Sequence, residues 1–272
     1  MFDKINPVSL TALCAALAYT VGVQAPEKAE SADERLTRYV DEAFSGRKAD
    51  RLFMYNPDAV AMWLYEKYPA LFAEMKTHDL VDLELPYATV MPSVTPVCFG
   101  TMYTGAYPAV HGIQKYEKPV IRIDTLFDAL LRAGKKPVIL AVENCSMSKI
   151  YLEREMDFFI FRSIEEINAR ASKIILEDQY DAVFVYNGNY DHIMHKTGPE
   201  SIEALAELRA NVHAFAFFEA LIRENWRRHD TLVGFAMDHG AHEIDGGCGS
   251  HGLDMPEDIN ICHLYKALPK AE

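Results

Sequence analysis

A chain of 272 residues, 50% of them apolar, is long enough to bury a full core, so one domain over residues 1–272 is expected, with residues 1–45 as an N-terminal helical extension packed on it. The formal charge of -13 argues against a nucleic acid polymer or an anionic membrane surface as partner, because the general field repels polyanions. Five cysteines, odd in number and without a CxxC pair, argue for reduced thiols in a cytoplasmic protein over a disulfide framework.

The first element is an apolar run from Leu10 to Val23, of signal-peptide length, with Val23-Gln24-Ala25 resembling a cleavage site. Against that reading, the leading Lys4 is balanced by Asp3, Pro26 would follow the cut, and Leu13 before Cys14 does not suit a lipoprotein signal. Leu10, Leu13, Cys14, Leu17 and Val21 instead follow helical spacing, with Asn6-Pro7 as the start and Gly22 as the stop. An amphipathic helix packed on the body is expected. A charged linker, Glu27 to Ala32, then leads to a second helix over 33–44. From there strands are expected at 51–55, 87–91, 136–142, 158–161, 182–186, 232–237 and 259–264. Helices are expected at 59–67, 96–103, 124–133, 164–176 and 201–225. Such alternation predicts an α/β fold, a doubly wound and mostly parallel sheet sandwiched by helices. No other run approaches transmembrane length.

In open parallel sheets ligands bind just beyond the carboxyl ends of the strands. Asp58 follows the first expected strand, Thr95 the second, Asp191 the fifth and Asp238 the sixth, so groups distant in sequence converge on one edge. Asp191 and His195, four apart at the start of a helical segment, share a face and suit one metal ion, whereas His192 points elsewhere. Asp238-His239-Gly240 ends a buried-strand pattern abruptly, and Gly240 permits the break that turns both side chains inward. The glycine-rich loop 246–252 carries His251, which is preferred over His242 as a last ligand on spacing and flexibility. Asp58 reads equally well as a helix N-cap ahead of Ala59. Thr95, just before Pro96, sits where a helix N-terminus attracts an anion; taken alone, a capping threonine is the stronger reading. Mixed imidazole and carboxylate donors point to divalent ions, zinc before manganese.

These segments resemble the alkaline phosphatase superfamily, in particular its nucleotide pyrophosphatase/phosphodiesterase-like branch. Pro92-Ser93-Val94-Thr95-Pro96 and Thr104 to Ile113 look like its nucleophile helix and the following TG-x-Y-P-x-x-HG-I element. Asp191 to Pro199 is similar to its D-x-x-x-H-x-x-G-P motif, and Asp238-His239-Gly240 to its DHG motif. The resemblance implies an alkaline phosphatase-like core with a minimal cap. It also implies one metal ion on Asp191, His195 and His251, a second on Asp58, Asp238 and His239, and the Thr95 oxygen between them. A small anionic phosphate-ester substrate would then be hydrolysed through a threonyl-phosphate intermediate. Tyr107, Lys115 and Lys118 are candidates to line the pocket, with exposed loop positions as the plainer reading. Cys98 departs from the branch, which usually carries an asparagine there to help hold the phosphate; this leaves monoester, diester, phosphonate and sulfate substrates open. Phosphotransfer within a sugar phosphate and a noncatalytic metal-binding role are the alternatives.

Overall fold

Runs of Val, Ile, Phe and Tyr that are apolar on both faces pair into one central sheet. The computed structural model describes residues 4–271; Met1, Phe2 and Asp3 of the expected N-terminal extension, and Glu272, lie outside them. In chain order the strands are β1 (Arg51–Pro57), β2 (Leu83–Ala88), β3 (Pro137–Val142), β4 (Asp157–Phe161), β5 (Ala182–Asn187), β6 (Thr231–Phe235), β7 (His242–Ile244), β8 (Cys248–Ser250) and β9 (Asn260–Leu268). The helices are α1 (Ala12–Thr20), α2 (Glu34–Ala43), α3 (Met62–Lys67), α4 (Ala73–Thr77), α5 (Thr95–Thr104), α6 (Pro108–His111), α7 (Leu126–Arg132), α8 (Ile164–Glu177), α9 (Asn189–Thr197), α10 (Ile202–Asn225) and α11 (Pro256–Ile259).

Seven strands form the sheet in the order β2-β9-β6-β1-β5-β3-β4, and only β9 runs against its neighbours. The mostly parallel α/β sandwich expected from the sequence is therefore the observed fold. At its centre β1 is flanked by β5 and β6, in registers that set Pro57 beside Asn187 and Tyr55 beside Phe235. Three chain segments thus leave the sheet side by side at its carboxyl edge. Helix starts are fixed locally: Thr125 with Asp128, and Ser163 with Glu166, form capping boxes on α7 and α8.

Four expectations need correction. The N-terminal helix is not amphipathic: it runs from Ala12, is buried nearly all round, and packs against α2, α5 and α7. The strand expected at 87–91 lies at Leu83–Ala88, where Pro86 is tolerated because β2 is an edge strand facing β9. Helix α3 starts at Met62 with Ala61 as its N-cap, so Asp58 caps nothing. The loop expected between the sixth strand and β9 contains the β7–β8 hairpin and α11. Among the described residues, no helix is long and apolar enough to cross a membrane.

Candidate active site

The carboxyl edge of β1, β5 and β6 carries two groups of potential ligands. Asp191, His195 and His251 form one; Asp58, Asp238 and His239 form the other, and within each group the donor atoms lie within 4.8 Å of one another. In the first, His195 Nε2 and His251 Nε2 lie 3.2 and 3.4 Å from Asp191 Oδ1. In the second, His239 Nε2 is 3.4 Å from both Asp58 Oδ1 and Asp238 Oδ2. The His239 and His251 rings, 4.1 Å apart between centroids, join the two groups.

Local structure explains each placement. Asp58 directly follows β1, and the next residue, Ala59, takes a left-handed φ of 61° that turns its N–H onto Asp238 Oδ1, 3.1 Å away. The N–H of His239 donates to that same oxygen at 2.9 Å, leaving Asp238 Oδ2 free. Gly240 is required where the chain turns away, since a Cβ there would sit 2.0 Å from the Glu257 carbonyl oxygen. Asp191 and His195 are successive positions on one face of α9. Hairpin strand β8 presses on α9 so closely that a Cβ on Gly249 would meet Met194 Sδ at 2.4 Å, and this contact delivers His251 to Asp191.

All three histidines are oriented in the same way. Their Nδ1 atoms lie 2.9 to 3.0 Å from backbone carbonyl oxygens, of Gly249 for His195, Gly240 for His239 and Ser93 for His251. A carbonyl only accepts, so each Nδ1 carries the hydrogen and each Nε2 presents its lone pair to the crevice. These carbonyls, and the Tyr186 hydroxyl that donates to Asp58 Oδ2, have no signature in the sequence.

Thr95 is the first residue of α5, not its N-cap; Val94 holds that position, and no side chain caps the helix. The Thr95 hydroxyl is thereby free to face the ligands. Its Oγ1 lies 3.2 Å from His239 Nε2 and 3.5 Å from both Asp58 oxygens. His242 is elsewhere, with Nδ1 2.7 Å from Asp258 Oδ1. Cys98 is fully buried with Sγ 4.0 Å from the Val90 carbonyl. Lys115 pairs with Glu117 at the surface, Lys118 donates to the Asn144 carbonyl, Tyr107 is half exposed, and His192 meets Lys196 on the outer face of α9.

Burial, with Asp238 and Asp191 nearby, holds the Asp58 carboxyl well above the usual range, and burial pushes Asp238 up to about 8. Burial also lowers the pKa of His239. At Asp191 burial works upward, but His195 and His251, once protonated, bring its carboxyl below the ordinary value. Two buried carboxylate oxygens, Asp191 Oδ1 and Asp238 Oδ2, one in each group, accept no hydrogen bond. Histidine Nε2 atoms stand 3.2 to 3.4 Å from each without bonding to it, a spacing that suits donors grouped around a cation.

Neither a protein-family model nor a curated protein matches this chain. Solved structures do. Murine ectonucleotide pyrophosphatase/phosphodiesterase 5 matches with a TM-score of 0.58 at 15% identity, over 72% of this chain and 58% of that one. An inactive variant of that murine protein in complex with AMP gives 0.56 at 14% identity, over 72% and 59%. Phosphonoacetate hydrolase from Sinorhizobium meliloti 1021, in complex with phosphonoformate, gives 0.53 at 18% identity, over 75% and 61%. The chain spans about three-fifths of their length. At these identities the likeness is one of fold, and it is the fold that the motif resemblance implied.

Proposed function

We propose that this protein is a metal-dependent hydrolase of small phosphate or related phosphorus esters, with Thr95 as nucleophile and a threonyl-phosphate intermediate. The observation that carries the reading is the position of Thr95 Oγ1, 3.2 Å from His239 Nε2 and 3.5 Å from both Asp58 oxygens, at a helix N-terminus and beside the second ligand group. Asp191, His195 and His251 would hold one divalent ion, and Asp58, Asp238 and His239 the other, with zinc preferred and manganese the next choice. Two such ions, when bound, lower the pKa of a coordinated hydroxyl and stabilise attacking and leaving oxygens.

The protein's own groups then have distinct tasks. Thr95 Oγ1 loses its proton to solvent and attacks phosphorus in line, and the bond to the leaving oxygen breaks with its electron pair departing on that oxygen. The start of α5 favours the phosphoryl oxygens through its N–H groups and dipole. Water attacks the same phosphorus in the second step and returns the Thr95 hydroxyl. Inverted use of one site for two displacements needs ligands that do not move, which the three carbonyl-anchored histidines provide. Cys98 places a buried thiol, with no amide donor, on the helix turn above Thr95. The fold shared with a phosphonoacetate hydrolase and a nucleotide pyrophosphatase/phosphodiesterase supports phosphorus chemistry without choosing among esters.

The test is turnover of chromogenic phosphate monoester, phosphate diester, phosphonate ester and sulfate ester by chelator-stripped and zinc-loaded protein. Metal-dependent turnover of a phosphorus ester is expected, falling at least about 10³-fold in Thr95→Ala at unchanged metal content. Turnover that survives Thr95→Ala with both ions bound would show the nucleophile to be wrong.

A further inference from the structure

We propose that Tyr186 is a positioning residue for one of the two ion sites: its hydroxyl holds one oxygen of Asp58 so that the other stays turned toward His239 and Asp238. This rests on the two-ion reading of the site. Asp58 and Asp238 face the same histidine, but their free oxygens are prepared by different means. At Asp238 the backbone does it: the N–H groups of Ala59 and His239 occupy Oδ1 and leave Oδ2 open. At Asp58, among the described residues, no backbone N–H donates to the carboxylate. The donors are side-chain hydroxyls: the phenol of Tyr186 binds Oδ2 closely, Thr95 Oγ1 stands at 3.5 Å from both oxygens, and Oδ1 lies 3.4 Å from His239 Nε2.

The fold fixes the Tyr186 contact on every side. Tyr186 is the second-last residue of β5, in register with Asn56 of β1, so its backbone is fixed at the centre of the sheet. Phe99 of α5 meets its ring nearly edge-on at 5.8 Å, which ties the tyrosine to the helix that begins with Thr95. Gly188 leaves the room that the hydroxyl needs: a Cβ there would lie 2.6 Å from the Tyr186 oxygen but 3.0 Å from Cζ. Since Gly188 has φ of -99°, alanine fits its backbone, and the cost falls on the buried Tyr186 ring, which must shift as a rigid unit and carry its hydroxyl off Asp58.

A buried phenol that had merely found an acceptor would give a different result from one that orients a ligand. The experiment is calorimetric titration of the chelator-stripped full chain with zinc, for the wild type, Tyr186→Phe, Gly188→Ala and the double variant. Metal-free melting temperatures serve as the control for folding. Expected are two sites in the wild type, and in Tyr186→Phe one site weakened by roughly 10- to 100-fold with the other unchanged. Gly188→Ala should weaken the same site, and the double variant should be no worse than the more affected single, because both act on one hydrogen bond. Equal zinc affinity in Tyr186→Phe, a uniform loss at both sites, or additive losses in the double variant would each overturn the inference while leaving the two-ion reading intact. A wild type that binds no zinc would remove that reading, and this inference with it.

Discussion

His242 and His251 stand on either side of the β7–β8 hairpin, and spacing alone does not separate them as ligands. Their neighbours do. His251 Nδ1 faces a carbonyl oxygen and its Nε2 lies 3.4 Å from Asp191, whereas His242 Nδ1 faces the fully buried carboxylate of Asp258. Asp258 in turn accepts the N–H of Leu253, so this second histidine supports the loop that carries His251. His251→Ala is therefore expected to lose one ion per chain after dialysis. His242→Ala should keep both but lower stability by about 1–3 kcal/mol, because a buried acceptor loses its partner. Metal content by elemental analysis and the urea midpoint separate the two effects. Loss of an ion from His242→Ala alone would reassign the ligand.

Elements differ in how plainly the sequence announces them. The buried strands β1, β3, β5 and β6 were legible because parallel strands covered on both faces read as apolar runs, and Asp58, Asp191 and Asp238 were legible because each follows such a run. Strand β2 was misplaced because Pro86 reads as a break until an edge position is known. The β7–β8 hairpin was hidden in a glycine-rich stretch, and with it the contact that fixes His251. Side-chain types mark candidate ligands, while the carbonyls of Ser93, Gly240 and Gly249 that orient the histidines belong to every residue alike. The hairpin contact can be tested directly. Gly249→Ala would drive a Cβ to 2.7 Å from the Met194 carbonyl oxygen, backbone that cannot swing aside, and so push β8 off α9. Gly246, at φ of 90° with open space around it, offers the control: alanine there costs about 1–2 kcal/mol of backbone strain and touches nothing. Zinc titration should show a weakened first group in Gly249→Ala and two normal sites in Gly246→Ala. Normal binding in both would mean that β8 does not place His251.

Across the whole molecule, two sets of buried groups pull stability in opposite directions with pH. His111 and His263 are buried and held neutral, burial lowering each pKa from 6.5 to about 4. Between those values the unfolded chain binds more protons, so these two residues take stability away as pH falls below 6.5. Asp238 behaves oppositely in the metal-free protein: with a folded pKa near 8 against 3.8, the folded chain binds the extra proton, and stability falls as pH rises from 3.8 to 8. The two trends partly offset each other below pH 6.5; above it the histidine arm is gone, and the raised groups Asp238, Asp58 and His195 all take stability away as pH rises. Chelator-stripped protein should accordingly lose about 2 kcal/mol between pH 6.5 and 8 from Asp238 alone, with Asp58 and His195 adding to the same fall. Zinc-loaded protein should not, because a cation at the site favours the ionised carboxylate and adds its own binding free energy to the folded state. Urea midpoints across pH 4 to 8, with and without zinc, read both arms. A metal-free protein whose stability is level from pH 6.5 to 8 would mean that Asp238 is already ionised without a cation, and that the crevice is not built around one.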